Sequence, residues 1–179
     1  TFNWFRRADE KNAVFYTPWQ MWSYTPENLP QYNTKTPFTE LAYWGTLLNG
    51  TAKEDSNIRL LTTQNITPAL NITLGYMRFG ANGILQNEAT NNRTSIVGTN
   101  YMGRNYLMHA GYIHNKIIHS ENGGAIDTDP VTGINWIRDT TLKDAREIAV
   151  RLSDASNVIK RNTVFLDQSY RFPMEAIKK

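Results

Sequence analysis

The feature that most constrains the fold of this chain is an alternation of apolar and polar residues between Asp55 and Ile118. Four runs of about ten residues carry the alternation, and very short turns join them into two hairpins separated by a longer polar loop. Strands of soluble proteins usually stop at about five or six residues, whereas a tilted strand that crosses a bilayer needs about nine to eleven. The length of the runs therefore favours a transmembrane β-sheet over a soluble one.

The composition of the 179 residues excludes several classes of protein. Apolar residues make up 40% of the chain, mean hydropathy is -0.51, and no apolar run approaches the roughly 18 residues of a transmembrane helix. Barrel strands also keep mean hydropathy low, because alternate side chains are polar. The net charge of +3 is dispersed, which argues against nucleic acid as a partner, and the absence of cysteine excludes disulfides and thiolate chemistry.

The chain divides into a lead-in segment and a region of strands. Residues 1–37 are rich in aromatic residues and proline, which predicts an extended segment that packs against other structure, with one short strand near Val14–Tyr16. Residues 38–179 are predicted to be all-β, with one long loop at about 119–161, in which Asp144–Ala155 is a helical turn or a short strand. The six predicted strands cover about Phe38–Thr46, Asn57–Ile66, Ala69–Phe79, Arg93–Met102, Tyr106–Ile118 and Asn162–Phe172.

The connections between the predicted strands are long, short, long, short and very long in turn. Bacterial outer-membrane barrels show the same asymmetry, with short periplasmic turns and longer extracellular loops. We therefore assign turns 66–69 and 102–105 to the periplasmic side and loops 80–92 and 119–161 to the extracellular side. Aromatic residues stand at strand ends, where an interfacial belt would lie: Phe79, Tyr101, Tyr106, Tyr170 and Phe172.

The polar faces of the predicted strands carry the candidate functional residues. In a pore they would line the lumen and influence conductance and ion preference, and in a soluble sheet they would face solvent. Leu61 on the polar face and Gln168 on the apolar face interrupt the pattern. The candidate lumen-facing residues are Arg59, Asn71, Thr73, His109, Asp167, Ser169 and Arg171.

Four stretches of the sequence resemble, in the same order, those of the Bacteroidota "putative porin" family. Together they extend over about residues 15–172, and the combination is more specific than any one of them. They are Tyr32–Tyr43 (YNTKTPFTELAY), Thr63–Ile72 (TQNITPALNI), Gly111–Lys116 (GYIHNK) running into Glu121–Gly124 (ENGG), and Phe165–Tyr170 (FLDQSY).

The resemblance implies a partial antiparallel transmembrane β-barrel in the bacterial outer membrane, with neither catalytic residues nor a cofactor. Family members are much longer than this chain. Six strands are also fewer than the eight of the smallest single-chain barrels, and Met174–Lys179 lacks the terminal aromatic residue of a complete last strand. We therefore expect the amino-terminal part of a larger barrel, since lipid cannot satisfy open sheet edges.

No metal site or catalytic site is predicted. His109, His114 and His119 are five residues apart, so neighbouring members of the series point to opposite faces of a strand and cannot form one tridentate site. Asp127–Gly133 partly matches a calcium loop but lacks its third acidic position and the distal Glu, so a plain turn is favoured. The chain has no nucleophile elbow and no phosphate-binding loop, which favours a function other than catalysis.

The leading hypothesis is a porin-like barrel that allows passive diffusion of small polar solutes. One alternative is a non-conducting structural or accessory barrel in an outer-membrane complex. Another is a soluble β-sandwich that binds glycans through its aromatic residues. The expected partners are outer-membrane lipid, the remaining strands of the same barrel and other outer-membrane proteins.

Overall fold

The fold is all-β, as the alternation predicts. A computed structural model describes residues 19, 22–45, 55–135 and 145–172. Six antiparallel strands form one sheet, in which the order of the strands follows the order of the chain. The strands are β1 (Phe38–Gly45), β2 (Ser56–Thr67), β3 (Leu70–Asn82), β4 (Ala89–Met102), β5 (Tyr106–Glu121) and β6 (Ala155–Tyr170).

Several strands are longer than their apolar alternation predicts. β4 begins at Ala89 rather than at Arg93, and β6 begins at Ala155 rather than at Asn162. The added residues are mostly polar, so alternation does not reveal them, and their pairing with the neighbouring strand extends the sheet. The predicted bounds of loops 80–92 and 119–161 were therefore wrong, and these connections are residues 83–88 and 122–154.

The two ends of the sheet differ in their connections. At the turn end, Pro68 and Ala69 join β2 to β3, and Gly103–Asn105 joins β4 to β5. The loop end carries the connections from β1 to β2, from β3 to β4 and from β5 to β6. The last of these contains a 3-10 turn at Ala145–Glu147 and an isolated bridge between Ala125 and Val150, so both elements considered for that stretch occur in part. The predicted strand near Val14–Tyr16 lies outside the described residues.

The register of the sheet defines two faces, because residues paired across neighbouring strands point to the same side. The buried apolar residues lie on one of them, and residues 22–34 run across that side from β5 to β2. We call residues 22–34 the covering segment, this side of the sheet the covered face, and the opposite side the outer face. Leu61, which interrupts the polar pattern of β2, belongs to the core on the covered face with Ile96, Ile113 and Ile117.

The sheet is open. β1 and β6 are its edges, and neither pairs with a further strand among the described residues. An open sheet of long strands agrees with part of a barrel. The sandwich alternative has two sheets, and the described ranges contain one.

A close approach at Gly111 offers a test of the register between β4, β5 and β6. A Cβ at Gly111 would lie 2.7 Å from the backbone oxygen of Val97 and 2.9 Å from the ring of Phe165. We expect Gly111→Ala to lower the free energy of unfolding by about 1–3 kcal/mol in a urea titration, since the backbone has to shift. Gly98, the register partner of Gly111, has space for a Cβ, with Leu29 at 3.8 Å. Gly98→Ala should change stability by less than about 1 kcal/mol, and equal losses from both variants would contradict the register.

Candidate functional site on the covered face

Asparagine side chains of the sheet bind the backbone of the covering segment. The Oδ1 of Asn115 accepts from the N–H of Tyr24 at 3.1 Å, and its Nδ2 donates to the carbonyl of the same residue at 2.9 Å. An amide side chain can make both bonds because it carries a donor and an acceptor. The Nδ2 of Asn100 donates to the carbonyl of Tyr32 at 2.5 Å, and the Oδ1 of Asn65 accepts from the N–H of Thr34 at 3.1 Å. These three contacts hold the segment to the sheet at β5, β4 and β2.

Ring contacts hold the segment near the loop end of the sheet. Trp22 stacks on Phe79 with 5.0 Å between ring centroids, and Trp19 lies 5.2 Å from the ring of His119. The placement of Phe79 corrects its assignment to the interfacial belt. Phe79 pairs with Asn57 and Asn92 on the covered face, so its ring packs under Trp22 and does not point outward.

Two of the candidate lumen-facing residues, Asn71 and Thr73, are buried on the covered face. Thr73 is 8% exposed, and its hydroxyl bonds to the Oγ1 of Thr63 and the Oδ1 of Asn71, both at 3.0 Å. The Nδ2 of Asn71 donates to the Oδ1 of Asn65 at 2.7 Å. This network supports Asn65, which in turn binds the covering segment. The role of Asn71 and Thr73 is therefore to stabilise that contact, since neither side chain is open to solvent.

The other candidates lie in two places, with Arg59 on β2 and the remaining four on or next to β5 and β6. Arg59 is half-buried, and its Nη1 lies 3.9 Å from Oε1 of Glu40 on β1. His109 pairs with Asp167 in the register between β5 and β6, near the turn end. Asp167 and Ser169 are exposed along the edge strand β6, and Arg171 lies just beyond that strand. The structure thus brings His109 next to Asp167 but leaves Arg59 several strands away.

A cleft of about 300 Å³ separates part of the covering segment from the sheet. Its walls are mostly apolar, with a few amide and hydroxyl groups and the two arginines Arg59 and Arg78 among the lining residues. A small polar molecule of a few heavy atoms would find both apolar and hydrogen-bonding contacts there. The lining residues include Trp22, Tyr24, Trp44, Asn57, Arg59, Met77, Phe79, Asn92 and Thr94.

The remaining aromatic residues predicted for the belt cluster at the turn end of the outer face. Tyr101 and Tyr106 lie 5.9 Å apart, and Tyr106 pairs with Tyr170 across β5 and β6. Phe172 meets the ring of Tyr170 edge-on at 5.0 Å. Gln168, which interrupts the apolar pattern of β6, accepts a hydrogen bond from the hydroxyl of Tyr106 at 2.9 Å. The side-chain oxygen of Gln168 therefore has a partner on the outer face.

Apolar side chains on the outer face form a band that shifts along the strands. Leu41 on β1 and Leu60 on β2 stand in the same register row as Asn162 on β6. On β6 the neighbouring apolar residues Val164 and Leu166 lie on the turn-end side of Asn162, and Val158 stands apart from them on its loop-end side. The shift is roughly one residue per strand. Strands about 4.8 Å apart and tilted by about 40° require a shift of about 4 Å per strand if the band is to stay level.

The residues considered as metal ligands do not form a site. His109 and His119 lie on the covered face and His114 on the outer face, where its Nδ1 contacts Asn162 at 2.6 Å. Among the described residues, no three His, Asp or Glu side chains come close enough to hold a metal ion. Asp129 accepts from the N–H of Val131 at 2.8 Å, and this bond holds the pKa of its carboxyl below the usual value. The N–H of Gly133 donates to the carbonyl of Asp129 at 2.8 Å, which closes a turn in this stretch.

The sequence analysis missed the anchoring residues Asn100 and Asn115. Asparagine is depleted in strands, because it forms alternative bonds to the backbone and packs poorly on a pleated surface. Two asparagines in the middle of long strands were therefore a usable signal that their amides meet another chain segment. What they meet could not be derived, because Tyr24 is 91 residues from Asn115.

No helix in the described part of the chain is long and apolar enough to span a membrane. A family model described as "Putative porin" matches residues 1–179. No curated protein and no solved structure matches the chain.

The hydrogen bonds of Asn115 allow a test of the covering segment. We expect Asn115→Leu to release it, because the N–H and C=O of Tyr24 lose their partners at a cost of about 1–3 kcal/mol. The chain has no cysteine, so Ser23→Cys creates a single thiol at a buried position of the segment. Maleimide labelling of that thiol should become faster with Asn115→Leu and stay unchanged with Asn162→Leu, which alters the outer face. Equal labelling in both backgrounds would contradict the anchoring role.

Proposed function

Because the chain belongs to the family described as "Putative porin", we propose that its sheet is part of an outer-membrane β-barrel through which small polar solutes diffuse. The match over residues 1–179 is the observation that carries the proposal. The all-β fold with one open sheet of long antiparallel strands supports it. In this proposal the turn end is periplasmic and the loop end extracellular, following the usual asymmetry of such barrels.

The outer face has the surface that a barrel presents to lipid. Large apolar side chains on it are exposed, among them Leu74 (45%), Val97 (49%) and Val164 (82%), which share one register row. Exposure of a continuous row of this kind is unfavourable in water and favourable in hydrocarbon. The shift of the apolar band by roughly one residue per strand also fits strands that cross a bilayer at a tilt.

The two edges of the sheet define the partners in this proposal. A strand edge in hydrocarbon leaves backbone N–H and C=O groups without partners, so β1 and β6 have to pair with other strands. We assign these to the remaining strands of the same barrel, with outer-membrane lipid as the surrounding partner and other outer-membrane proteins as further ones.

The covered face is the lumen in this proposal, and the covering segment lies inside it. Solutes would pass beside the segment, past the cleft that Trp22, Arg59 and Phe79 help to line. The segment narrows the passage, and the charge of Arg59 influences which ions enter it. The second candidate, a non-conducting accessory barrel, is favoured by the same segment, since it already fills part of the covered face.

Single-channel recording of the full-length protein in a planar bilayer distinguishes the two candidates. We expect discrete conductance steps, and larger steps from the Asn115→Leu variant, because the loosened segment leaves more of the lumen open. An inserted barrel without conductance in both forms would contradict diffusion and support the accessory role. Co-purification of stoichiometric partner proteins would strengthen that second outcome.

Leu74 tests whether the outer face meets lipid. We expect Leu74→Arg to impair assembly of the full-length protein into vesicles, at a cost of about 2–4 kcal/mol for a charge near the bilayer midplane. Val131→Arg is the control, since Val131 is 90% exposed in the connection after β5 and lies outside the apolar band. Assembly yield can be read from the shift in gel mobility between folded and heated protein. Normal assembly of Leu74→Arg would contradict a lipid-facing surface.

Arg59 tests whether the covered face lines the conducting path. We expect Arg59→Glu to shift ion preference toward cations by roughly fivefold or more, since a unit charge at about 4 Å in water contributes about 1 kcal/mol. The reversal potential under a salt gradient measures this shift. Arg104→Glu makes the same change of charge in the exposed turn between β4 and β5, and it should leave the reversal potential unchanged. A conducting barrel whose preference does not respond to Arg59→Glu would contradict the assignment.

A further inference from the structure

Four basic side chains stand side by side on the outer face, on four neighbouring strands. In the register, Arg78 of β3 pairs with Arg93 of β4, Arg93 with Lys116 of β5, and Lys116 with Lys160 of β6. Register partners have Cβ atoms about 4.5–5.5 Å apart. We call these four residues the cationic row.

Of the residues of β1–β6 that point to the outer face, only the four members of the cationic row are charged. The register assigns no Asp or Glu of β1–β6 to the outer face. Arg59 and Glu40 form an ion pair on the covered face, and within the described ranges no carboxylate forms an ion pair with the row. Like charges directly opposite each other are destabilising in a sheet, so an anion bound across the row would relieve that repulsion.

The position of the row relative to the apolar band indicates the kind of anion. On β3 the row lies on the loop-end side of the band, six residues from Ile72 and four from Leu74. On β5 and β6, Ile118 and Val158 lie beyond the row toward the loop end. With a tilt of about 40°, the four residues span roughly 9 Å of height and begin near the edge of a band about 25 Å tall. On β1 and β2 the same row continues with Tyr43 and Ile58, as the shift of the band requires.

We propose that the cationic row binds the phosphate groups of anionic lipid at the loop-end surface of the membrane. The inference rests on the proposed function, because it takes the apolar band to lie in a bilayer. Arg and Lys side chains extend their charged groups from a membrane edge toward headgroups, and Arg offers paired donors that match phosphate oxygens. The register places the side chains of the row on the outer face, and Arg78 also borders the cleft.

The members of the row differ in how readily they reach a headgroup. Arg93 and Lys160 are exposed, whereas Arg78 and Lys116 are half-buried. The Nε of Arg93 donates to the Oδ1 of Asn91 at 3.2 Å, which orients its guanidinium along the strand toward the loop end. Arg93 and Lys160 are therefore the members to change first.

The test measures binding of phosphatidylglycerol, with phosphatidylcholine of the same acyl chains as the zwitterionic comparison, to the detergent-solubilised full-length protein. We expect preference for phosphatidylglycerol, and a loss of affinity of about 25-fold when Arg93→Gln and Lys160→Gln are combined. The control combines Arg104→Gln and Arg151→Gln, which remove two exposed charges outside the row. It should change affinity less than twofold. Equal loss in both double variants would overturn the proposal in favour of a general charge effect.

Two further arms complete the test. Arg93→Lys combined with Lys160→Arg keeps both charges and should keep the affinity for the lipid. If circular dichroism shows that the double Gln variant misfolds, Lys160→Gln alone should still weaken binding about fivefold. Inorganic phosphate at millimolar concentration should not displace the lipid, and full displacement would overturn the lipid assignment in favour of a free anion. A protein that inserts and conducts but shows no lipid preference contradicts only this inference. A protein that fails to insert contradicts the proposed function.

Discussion

The arrangement of this chain depends on hydrogen bonds between asparagine side chains of the sheet and the backbone of residues 22–34. A lone extended segment has no strand to satisfy its N–H and C=O groups, and burying them without partners is costly. Asn115, Asn100 and Asn65 supply those partners at three strands. Tyr24, Leu29 and Pro30 of the segment line one pocket with Leu61 and Ile96, so the segment contributes to the core on this side of the sheet.

The two faces of the sheet differ in which side chains they bury and which they expose. On the covered face, buried polar side chains such as those of Thr63, Asn71 and Thr73 form hydrogen bonds with one another. On the outer face, apolar side chains such as Val164 stay exposed, and the strand positions that carry charge fall into one register row. A membrane barrel needs this division, because hydrocarbon accepts the apolar band while the polar interior remains available for water and solutes.

Much of the fold could be predicted because strand alternation is local. All six strands, both short turns and the sides of most strand residues follow from a period of two. The bounds of β4 and β6 were missed because their first residues are polar, so pairing with a neighbour extends them without a pattern in the sequence. Phe79 was misplaced for a related reason. Its position near a strand end suggested an interfacial belt, but the alternation of side chains along β3 places its ring on the covered face, against Trp22.

By itself, the sequence determined that the chain forms long antiparallel strands with one polar and one apolar side, because adjacent side chains of a strand always point to opposite faces. Only the tertiary structure decided which segment covers the polar side of the sheet and which side chains are register partners on neighbouring strands. Tyr24 meets Asn115 through contacts 91 residues apart. Lys160 lies opposite Lys116 in the register between β5 and β6. The connection between these strands, residues 122–154, is too long to set that register by its own length. Both outcomes depend on the packing of distant segments, and a short-range pattern carries no information about that packing.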